Sequence, residues 1–281
     1  MRVRMPVTNL LLVITGASRG LGRAIANEFC GPSLSGYWPS LRYIRAVLIA
    51  RSTSGLEETR TAIEANTRKS DLNIRVDLHS IDLSDLNTLD HKLDAVFQQI
   101  QNDQIKYDRV VLVNNAGSLG ALGPCLESPS LSDMRQTVDF NVTSALWTTV
   151  RFGRFIRDDE RTNDATTTIV NISSLVAVQP FPTMAIYSAV KAARDSYQEA
   201  FAQELNGDTN VKFLNYAPGP LETDMANELR KDARLDDNLK PHFQKTLIDP
   251  NASAKTLARL VAENSFESGK HIDYFDLQSE S

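Results

Sequence analysis

The stretch Leu11–Gly22 reads LLVITGASRGLG, and it decides the fold of the chain. Its apolar start predicts a buried strand, glycines follow at positions 16, 20 and 22, and a helix is predicted to begin at once. Backbone N–H groups at a helix N-terminus bind anions, so this unit indicates a site for the pyrophosphate of a dinucleotide. The glycines permit a tight turn, close approach of the pyrophosphate and close packing of the helix on the strand. The loop residues expected to contact the cofactor are Gly16, Ser18, Arg19, Gly20, Leu21 and Gly22.

Short apolar runs alternate with longer amphipathic stretches over the rest of the chain. The predicted strands are Leu11–Thr15, Ala46–Ala50, Ile74–Ile81, Val110–Asn114, Thr168–Ile172, Val211–Tyr216 and His271–Phe275. The predicted helices are Arg19–Cys30, Gly55–Lys69, Leu86–Gln101, Leu131–Arg157, Met184–Leu205 and Ala252–Asn264. Strands that are nearly all apolar and alternate with helices form buried parallel sheets. We therefore expect an α/β fold, with a doubly wound, seven-stranded parallel sheet and helices on both faces.

The chain is predicted to form a single domain over residues 1–281, because no Pro- or Ser-rich linker and no repeat divides it. The cofactor half is expected over about 1–165, and the catalytic and substrate half over about 166–281. Gly31–Arg45 is long for a connection between a helix and a strand, which predicts an excursion on the surface. Leu221–Pro250 is polar and follows a strand end, so we expect a mobile lid over a site.

Composition and charge exclude several classes of function. Hydrophobic residues make up 42% of the 281 residues, and the net charge of −5 argues against binding nucleic acid or an anionic membrane surface. No stretch approaches the length of a membrane span, and the apolar run near the N-terminus lacks a cleavage pattern, so a cytoplasmic protein is expected. Cys30 and Cys125 could pair, but reduced thiols are expected there. The four histidines never show metal-ligand spacing, so no metal site is predicted.

The end of the second predicted strand indicates which dinucleotide binds. NAD enzymes commonly place an acidic residue there to hold the ribose hydroxyls, whereas this chain has Arg51 followed by Ser52. Arg51 and Arg19 would flank a 2′-phosphate and Ser52 would donate to it, which favours NADP(H). The alternative is that both arginines are solvated surface charges. After the third strand, Asp82 and Leu83 would face the adenine.

A second motif follows the fifth predicted strand. Ser174 closes the strand, and Tyr187 and Lys191 lie four residues apart on a predicted helix, so they share one face. A free tyrosine has a pKa of about 10, and a nearby cation lowers it. We expect Tyr187 to protonate a carbonyl oxygen as hydride reaches the carbon, Ser174 to hold that oxygen, and Lys191 to hold the nicotinamide ribose. By itself the Tyr–Lys spacing also fits an exposed helix pair.

These motifs, together with NNAG at Asn114–Gly117, Asn141 in a helix and PGP at Pro218–Pro220, resemble those of the short-chain dehydrogenase/reductase family over the whole chain. The resemblance implies a Rossmann-type domain, hydride transfer with NADP(H), and a catalytic set of Asn141, Ser174, Tyr187 and Lys191. Asn141 would hold a water in a proton relay to the lysine. The resemblance also implies a homodimer through the predicted helices Leu131–Arg157 and Met184–Leu205. Further implied cofactor contacts are Asn115, Ala116, Gly117, Tyr187, Lys191, Pro218, Gly219, Leu221, Thr223, Asp224 and Met225. The segment Leu221–Ala226 would close over the nicotinamide and phosphates.

Longer strings, such as NISSLVAVQPF, KAARD, NYAPGPLETDM and SGKHIDYFD, are similar to family members that reduce side-chain carbonyls of a pterin in tetrahydrobiopterin synthesis. The implied pterin contacts are Ser174, Leu175, Tyr187, Gly219 and Asp273. The Asp273 carboxylate can accept from the adjacent amino and ring N–H groups of a pterin, although a solvated strand-end acid is the alternative. Met184 and Ser188 stand where animal members have Trp and Cys, and the loss of this aromatic wall beside Tyr187 would loosen the contact with the pterin or change the preferred carbonyl. The alternatives are a reductase of small α-dicarbonyls or aryl diketones, and a non-catalytic NADP-binding sensor.

Overall fold

The computed structural model describes residues 6–68, 70–127, 130–205, 210–245 and 247–278. The strands are β1 (Asn9–Thr15), β2 (Tyr43–Ala50), β3 (Asn73–Ser80), β4 (Arg109–Asn114), β5 (Thr166–Ile172), β6 (Val211–Ala217) and β7 (His271–Asp273). Within the described ranges they form one sheet in the order β3-β2-β1-β4-β5-β6-β7, and all neighbouring pairs are parallel. The predicted doubly wound α/β fold is confirmed.

Helices connect these strands. They are α1 (Gly20–Phe29), α2 (Thr53–Thr67), α3 (Leu86–Gln101), α4 (Leu131–Val138), α5 (Ser144–Asp158), α6 (Ala185–Glu204), α7 (Asp224–Lys231), α8 (Lys240–Gln244) and α9 (Pro250–Glu263). The bounds of α3 are those predicted. The predicted end of the second helix, Lys69, lies outside the described residues. In the part of the chain that the structure describes, no helix combines the length and the apolar character needed to cross a membrane.

The core has a layer on each face of the sheet, because successive residues of a strand point to opposite faces. Leu10, Leu12 and Ile14 pack with residues of α1, α2 and α9 on one face. Leu11 and Val13 pack with residues of α3 and α5 on the other. Each such buried side chain contributes about 1.5–3 kcal/mol relative to an exposed one. This pattern explains why the strand in the opening stretch is apolar at every position from Leu10 to Ile14.

The Gly31–Arg45 segment differs from the predicted surface excursion. It begins with a 3₁₀ turn at Pro32–Gly36, and the side chains of Leu34, Trp38 and Leu41 are buried in the first core layer. Its last residues already belong to β2. The segment therefore extends the core, because its apolar side chains cover surface that the helices alone leave open.

The Leu221–Pro250 segment contains two short helices, α7 and α8, that the sequence pattern did not reveal. A bridge between Leu221 and Ile248 joins the two ends of this segment. Leu229 and Leu235 are buried in a third cluster that also includes Tyr187. The segment therefore packs over the carboxyl ends of the strands, as expected of a lid. Its mobility stays a prediction.

The strand order creates a crevice between two neighbouring strands. After β3 the chain crosses to the other side of β1 and forms β4, so the connections leaving β1 and β4 diverge. Thr15 and Asn114, the last residues of these strands, are paired in register. Ligands of open parallel sheets bind at this kind of switch point, beyond the carboxyl ends of the strands.

Candidate active site

The glycine loop lies directly at this switch point. Gly16 adopts a positive φ of 70°, and its N–H donates to the Ile49 carbonyl over 2.7 Å. A Cβ on Gly22 would lie 2.2 Å from the Gly16 carbonyl oxygen, so only glycine lets α1 approach the loop this closely. The N-terminus of α1 therefore faces the crevice with its backbone N–H groups. This cradle fits the pyrophosphate of a dinucleotide.

The segment after β4 is tied to the same loop. Asn115 Nδ2 donates to the Thr15 and Gly16 carbonyls over 3.0 and 3.1 Å. The Thr15 hydroxyl accepts from the backbone N–H groups of Asn115 and Ala116, each over 3.1 Å. These bonds fix the NNAG segment next to the glycine loop, where it forms the floor of the crevice.

Tyr187 and Lys191 lie on the same buried face of α6. Their side chains are 7% and 4% exposed, and the Lys191 Nζ atom is 5.6 Å from the centre of the Tyr187 ring. Lys191 Nζ donates to the Ile172 carbonyl over 2.7 Å, next to the end of β5. Ser174 caps a short 3₁₀ turn immediately beyond β5, where its hydroxyl accepts from the Val176 N–H over 3.5 Å, and it is close enough to Tyr187 to lower the pKa of that phenol. The structure therefore brings the predicted serine, tyrosine and lysine together.

The electrostatics of this cluster differ from the expectation in one respect. Burial raises the pKa of Tyr187 to about 12, while the Ser174 hydrogen bond and the charge of Arg194 act in the opposite direction. Burial, together with Arg194, also lowers the pKa of Lys191 well below its usual value. The sequence assigned the cation that lowers the tyrosine pKa to Lys191. In the structure the charge of Arg194 acts on the Tyr187 pKa in this direction.

Asn141 reaches the cluster because the predicted long helix is interrupted. A π-helical turn at Asp139–Thr143 separates α4 from α5, and Asn141 is buried within it. Asn141 Oδ1 accepts from the Ser118 N–H over 2.8 Å, and Nδ2 donates to the Thr137 carbonyl over 2.9 Å. Single π turns of this kind are frequent at functional sites. The turn places the asparagine beside the NNAG segment, 3.1 Å from where a Cβ of Gly117 would lie.

The residues proposed for the 2′-phosphate lie at the end of β2. Arg51 is exposed, and its guanidinium lies 5.9 Å from the centre of the Phe140 ring. Ser52 caps α2 by accepting from the Gly55 N–H over 3.1 Å, and its hydroxyl lies 3.2 Å from that of Ser54. No acidic side chain stands at the end of β2, where an NAD enzyme would carry one. The arrangement fits a phosphorylated ribose.

The two residues predicted to face the adenine separate in the structure. Burial would raise the pKa of Asp82, but hydrogen bonds from Ser84 and the charge of Arg51 lower it overall. Asp82 therefore lies at the same edge as Arg51. The side chain of Leu83 is instead buried in the second core layer, so it is not available to a base.

The start of α7 covers the glycine loop and the tyrosine. Arg19 Nη1 pairs with Asp224 Oδ2 over 2.8 Å, with both side chains largely exposed. Thr223 lies 3.6 Å from where a Cβ of Gly20 would be, and Met225 Sδ is 3.9 Å from the Tyr187 hydroxyl. Arg19 thus forms an ion pair with Asp224, and it does not flank a phosphate site together with Arg51 as predicted. The predicted closing segment and the glycine loop are in contact.

The far wall of the crevice is built from β6 and β7. Gly219 follows β6, and the Phe275 ring lies 3.6 Å from where its Cβ would be. Asp273 Oδ1 accepts from the Phe275 N–H over 2.9 Å, which ends β7 earlier than predicted. Leu175 lies on the 3₁₀ turn after Ser174 and is 43% exposed. Asp273 is therefore held by a turn and is not a freely moving surface acid.

Sequence reasoning missed a polar cluster behind Tyr187. Asp195 accepts from Asn171 Nδ2 over 2.8 Å and from the Ser173 hydroxyl over 2.7 Å. Its Oδ2 also lies 2.7 Å from His271 Nδ1, which joins α6 to β7. Arg194, the preceding residue, is buried as well. The signal was present as polar residues seven and eight positions after Tyr187, on or near the same face of the helix.

Comparisons with known proteins agree with this geometry. The family model for short chain dehydrogenases matches residues 11–234. Sepiapterin reductase of Rattus norvegicus is 35% identical over 272 residues, which cover 94% of this chain and 96% of that protein. Benzil reductase ((S)-benzoin forming) of Bacillus cereus is 24% identical, and the match covers 93% of this chain and 97% of that protein. Among solved structures, NAD+-bound xylitol dehydrogenase superposes with a TM-score of 0.75 at 19% identity, over 96% of this chain and 99% of that one.

The region that the family model matches contains both motifs of the candidate site. It begins within β1 and extends beyond α7, so it includes the glycine loop, Ser174, Tyr187 and Lys191. The likeness to xylitol dehydrogenase supports the fold, and the rat relative adds similarity over nearly the full chain. The chain therefore belongs to the short chain dehydrogenase family of oxidoreductases.

Proposed function

We propose that this protein is an NADPH-dependent carbonyl reductase that reduces side-chain carbonyls of a pterin, as in tetrahydrobiopterin synthesis. The observation that carries the proposal is the grouping of Ser174 with the buried side chains of Tyr187 and Lys191 just beyond the end of β5. The similarity to sepiapterin reductase of the rat supports the substrate class. A cluster of this kind serves proton transfer, whereas cofactor binding alone requires only the loop.

The proposed roles follow from the positions of the side chains. Bound NADPH supplies the hydride. Ser174 and Tyr187 hold the substrate oxygen, and Tyr187 donates its proton to that oxygen. The Tyr187 phenol, whose pKa burial raises to about 12, carries its proton at neutral pH, as an ordinary phenol does, so the proton is present for transfer to the substrate oxygen. Lys191 holds the nicotinamide ribose, and Asn141 holds a water that returns a proton through the lysine.

We propose NADPH rather than NADH because of the chemistry at the end of β2. Arg51 stands where a carboxylate would repel the 2′-phosphate, and the Ser52 hydroxyl lies next to it. A guanidinium binds phosphate oxygens through charge-assisted hydrogen bonds. Arg19 is the weaker candidate, since it pairs with Asp224.

Asp273 is proposed to orient the pterin ring. Oδ1 is used by the turn to Phe275, which fixes the carboxylate at the end of β7. The fixed carboxylate can accept from the two adjacent donors of a pterin edge. Phe275 is 55% exposed and lies against Gly219, so it offers an apolar surface to the same ring.

Kinetics of Asp273 variants test the proposed substrate. Asp273→Ala should reduce kcat/KM for sepiapterin by an amount equivalent to about 2–4 kcal/mol, since a charge-assisted hydrogen-bond pair is lost. Reduction of a simple diketone, which lacks the paired donors, should stay nearly unchanged. Asp273→Asn keeps the shape but replaces one acceptor with a donor, so it should harm sepiapterin reduction almost as much. A parallel loss with both substrates would show that Asp273 supports the fold instead.

A second candidate function is reduction of aryl diketones. Leu175, Val178 and Phe275 are 43%, 59% and 55% exposed, and large exposed apolar side chains near a site favour an apolar substrate. The benzil reductase relative supports this alternative. A wild-type enzyme that reduces benzil well and sepiapterin poorly would favour it over the pterin.

We also propose that the protein is a cytoplasmic homodimer. Leu131, Met134 and Val138 share one face of α4 and are 83%, 40% and 38% exposed. An apolar helical stripe of this kind is typical of a protein–protein contact. The long helices that include α4 and α6 are the proposed interface.

A further inference from the structure

Arg194 is a buried cation that the proposed reaction does not yet use. It lies on α6 seven residues after Tyr187 and three after Lys191, and it is 2% exposed. At this spacing the three side chains occupy one face of the helix. Burying a guanidinium is costly unless its hydrogen-bond donors are satisfied, so its contacts show what it stabilises.

The guanidinium connects α6 to the segment after β4. Nη2 donates to the Asn114 carbonyl over 2.5 Å, and Nη1 donates to the Ala116 carbonyl over 3.1 Å. These carbonyls belong to the NNAG segment, which forms the floor of the cofactor crevice. Arg194 therefore fixes the distance between the helix that carries Tyr187 and the strand end that faces the cofactor.

Arg194 also lies next to Lys191. A Cβ built on Gly117 would be 3.9 Å from both Arg194 Nη1 and Lys191 Nζ, and 3.1 Å from Asn141 Oδ1. The Arg194 guanidinium, the Lys191 amine and the Asn141 amide thus surround the same glycine. A fixed positive charge at this position favours the anionic form of a phenol and disfavours a second cation.

The titratable groups around the cluster come from several elements. Burial lowers the pKa of Arg194 to about 10, so it remains charged at neutral pH. Asp195 on α6 acts on it in the opposite direction, and His271 of β7 pairs with that carboxylate. Ser174, just beyond the end of β5, lowers the pKa of Tyr187. The Arg194 charge lowers the pKa of both Tyr187 and Lys191.

We propose that Arg194 is a positioning residue of the reductase. It locks the Asn114–Gly117 segment to α6, and its permanent positive charge favours release of a proton by Tyr187 and by Lys191. The inference rests on the proposed reductase activity. It assigns two separable properties to one side chain. The forked hydrogen bonds set the cofactor floor, and the charge sets the pH at which the phenol titrates.

Arg109, at the other end of β4 from Asn114, offers a matched control. It begins β4, whereas Asn114, which Arg194 holds, ends it. The Arg109 guanidinium is also buried and donates to the Val261 carbonyl over 2.6 Å and to the Thr168 hydroxyl over 2.8 Å. Six residues of strand place it roughly 16 Å from the crevice. Loss of this arginine perturbs packing without removing charge from the site.

The test measures alcohol oxidation with NADP+ as a function of pH, because this direction requires the phenolate. The alcohol is the product of whichever substrate the wild type reduces, so a wild type without activity refutes the proposed function before any variant is compared. Arg194→Gln and Arg194→Met remove the charge, so the rising limb should move up by about one pH unit, which lowers the oxidation rate about tenfold at each pH below the midpoint. Met leaves no unpaired polar group on the helix, so it serves where Gln does not fold. Arg109→Gln should leave the midpoint unchanged.

Arg194→Lys separates the two properties. It keeps a charge but loses the planar fork, so the Kd for NADPH, followed by its fluorescence, should rise several-fold while the midpoint stays near that of the wild type. Neutral variants with the wild-type midpoint would overturn the role of the charge. A Lys variant whose midpoint moves as far as that of the neutral variants would show that geometry alone is responsible.

Discussion

Tyr187 holds its proton tightly, because its ring is buried among apolar side chains and its hydroxyl lies near the Met225 sulfur. A phenol in this environment is protonated at neutral pH. Its usefulness as an acid depends on the groups that stabilise the phenolate once the proton has left. The residues that surround it therefore matter as much as the phenol.

Tyr187→Phe removes the proton donor and keeps the ring. We expect kcat to fall by about 10²–10⁴-fold, the usual cost of losing a general acid, while the Kd for NADPH changes little. Steady-state kinetics and a cofactor titration check both values. Tyr197→Phe on the same helix is the control and should retain activity. Near-normal turnover in the Tyr187 variant would make the tyrosine a packing residue.

Arg51→Asp should shift the cofactor preference from NADPH towards NADH. A charge-assisted contact contributes about 1.5–3 kcal/mol, or roughly ten- to a hundredfold in kcat/KM. The measurement is kcat/KM with both cofactors. Arg42→Asp, just before the other end of β2, is the control and should leave the preference unaltered. Equal kcat/KM for the two cofactors in the wild type would contradict the assignment.

At the scale of single residues, spacing and context were sufficient for Tyr187, Lys191 and Ser174, because helical periodicity and a strand end fix their relative positions. They were insufficient for Arg194. An arginine in a helix is usually a solvated surface charge, and only the fold shows that this one reaches the end of β4. The spacing also could not show that Arg19 would pair with Asp224, which is distant in sequence.

Among the elements, helix prediction succeeded where apolar residues repeat with helical spacing and failed where they do not. The bounds of α3 agree with the sequence, whereas α7 is short and mostly polar and was not recognised. The π turn between α4 and α5 was also missed, since one extra residue barely disturbs the apolar pattern of a long helix. Burial of Leu34 and Trp38 depends on packing between distant segments.

The exposed stripe on α4 predicts an oligomer that a single substitution weakens. Leu131→Asp places a charge in the proposed interface, so the dimer should dissociate at concentrations where the wild type stays associated. Sedimentation velocity distinguishes the two states. Thr61→Asp, exposed on α2, is the control. A wild type that sediments as a monomer over the accessible concentration range would refute the homodimer.

On the scale of the whole molecule, the order of the strands brings distant parts of the sequence into one crevice. The glycine loop follows β1, the NNAG segment follows β4, Ser174 follows β5 and Gly219 follows β6. Strand–helix alternation and the chirality of parallel connections made this arrangement predictable. The contact between β7 and α6 through His271 and Asp195 was not, because it joins the last strand to a helix that precedes it.

His271 links stability to pH. The hydrogen bond to Asp195 raises its pKa above the ordinary value, although burial acts the other way. A group with a raised folded pKa stabilises the protein fully below its unfolded pKa of about 6.5, and this contribution is lost as the pH rises through the folded pKa. The free energy of unfolding of the wild type should therefore exceed that of His271→Gln most at acidic pH.

Urea unfolding across this pH range measures the difference. His91→Gln, exposed on α3, is the control and should follow the wild type. A gap between wild type and His271→Gln that stays constant with pH would show that the hydrogen bond stabilises the fold independently of protonation.

The π turn also constrains how this chain can change in length. Each residue of an α-helix advances the chain by about 100° around the axis. The π turn at Asp139–Thr143 holds one residue more than an α-helical turn, so it absorbs that residue locally. Deletion of one residue there would restore α-helical geometry and leave Phe152 and Phe155 of α5 against the sheet, but it would displace Asn141 from the Ser118 N–H. An insertion or deletion within α5 itself would instead rotate the residues that follow by that angle. Homologues that keep the site should therefore keep the extra residue in this turn.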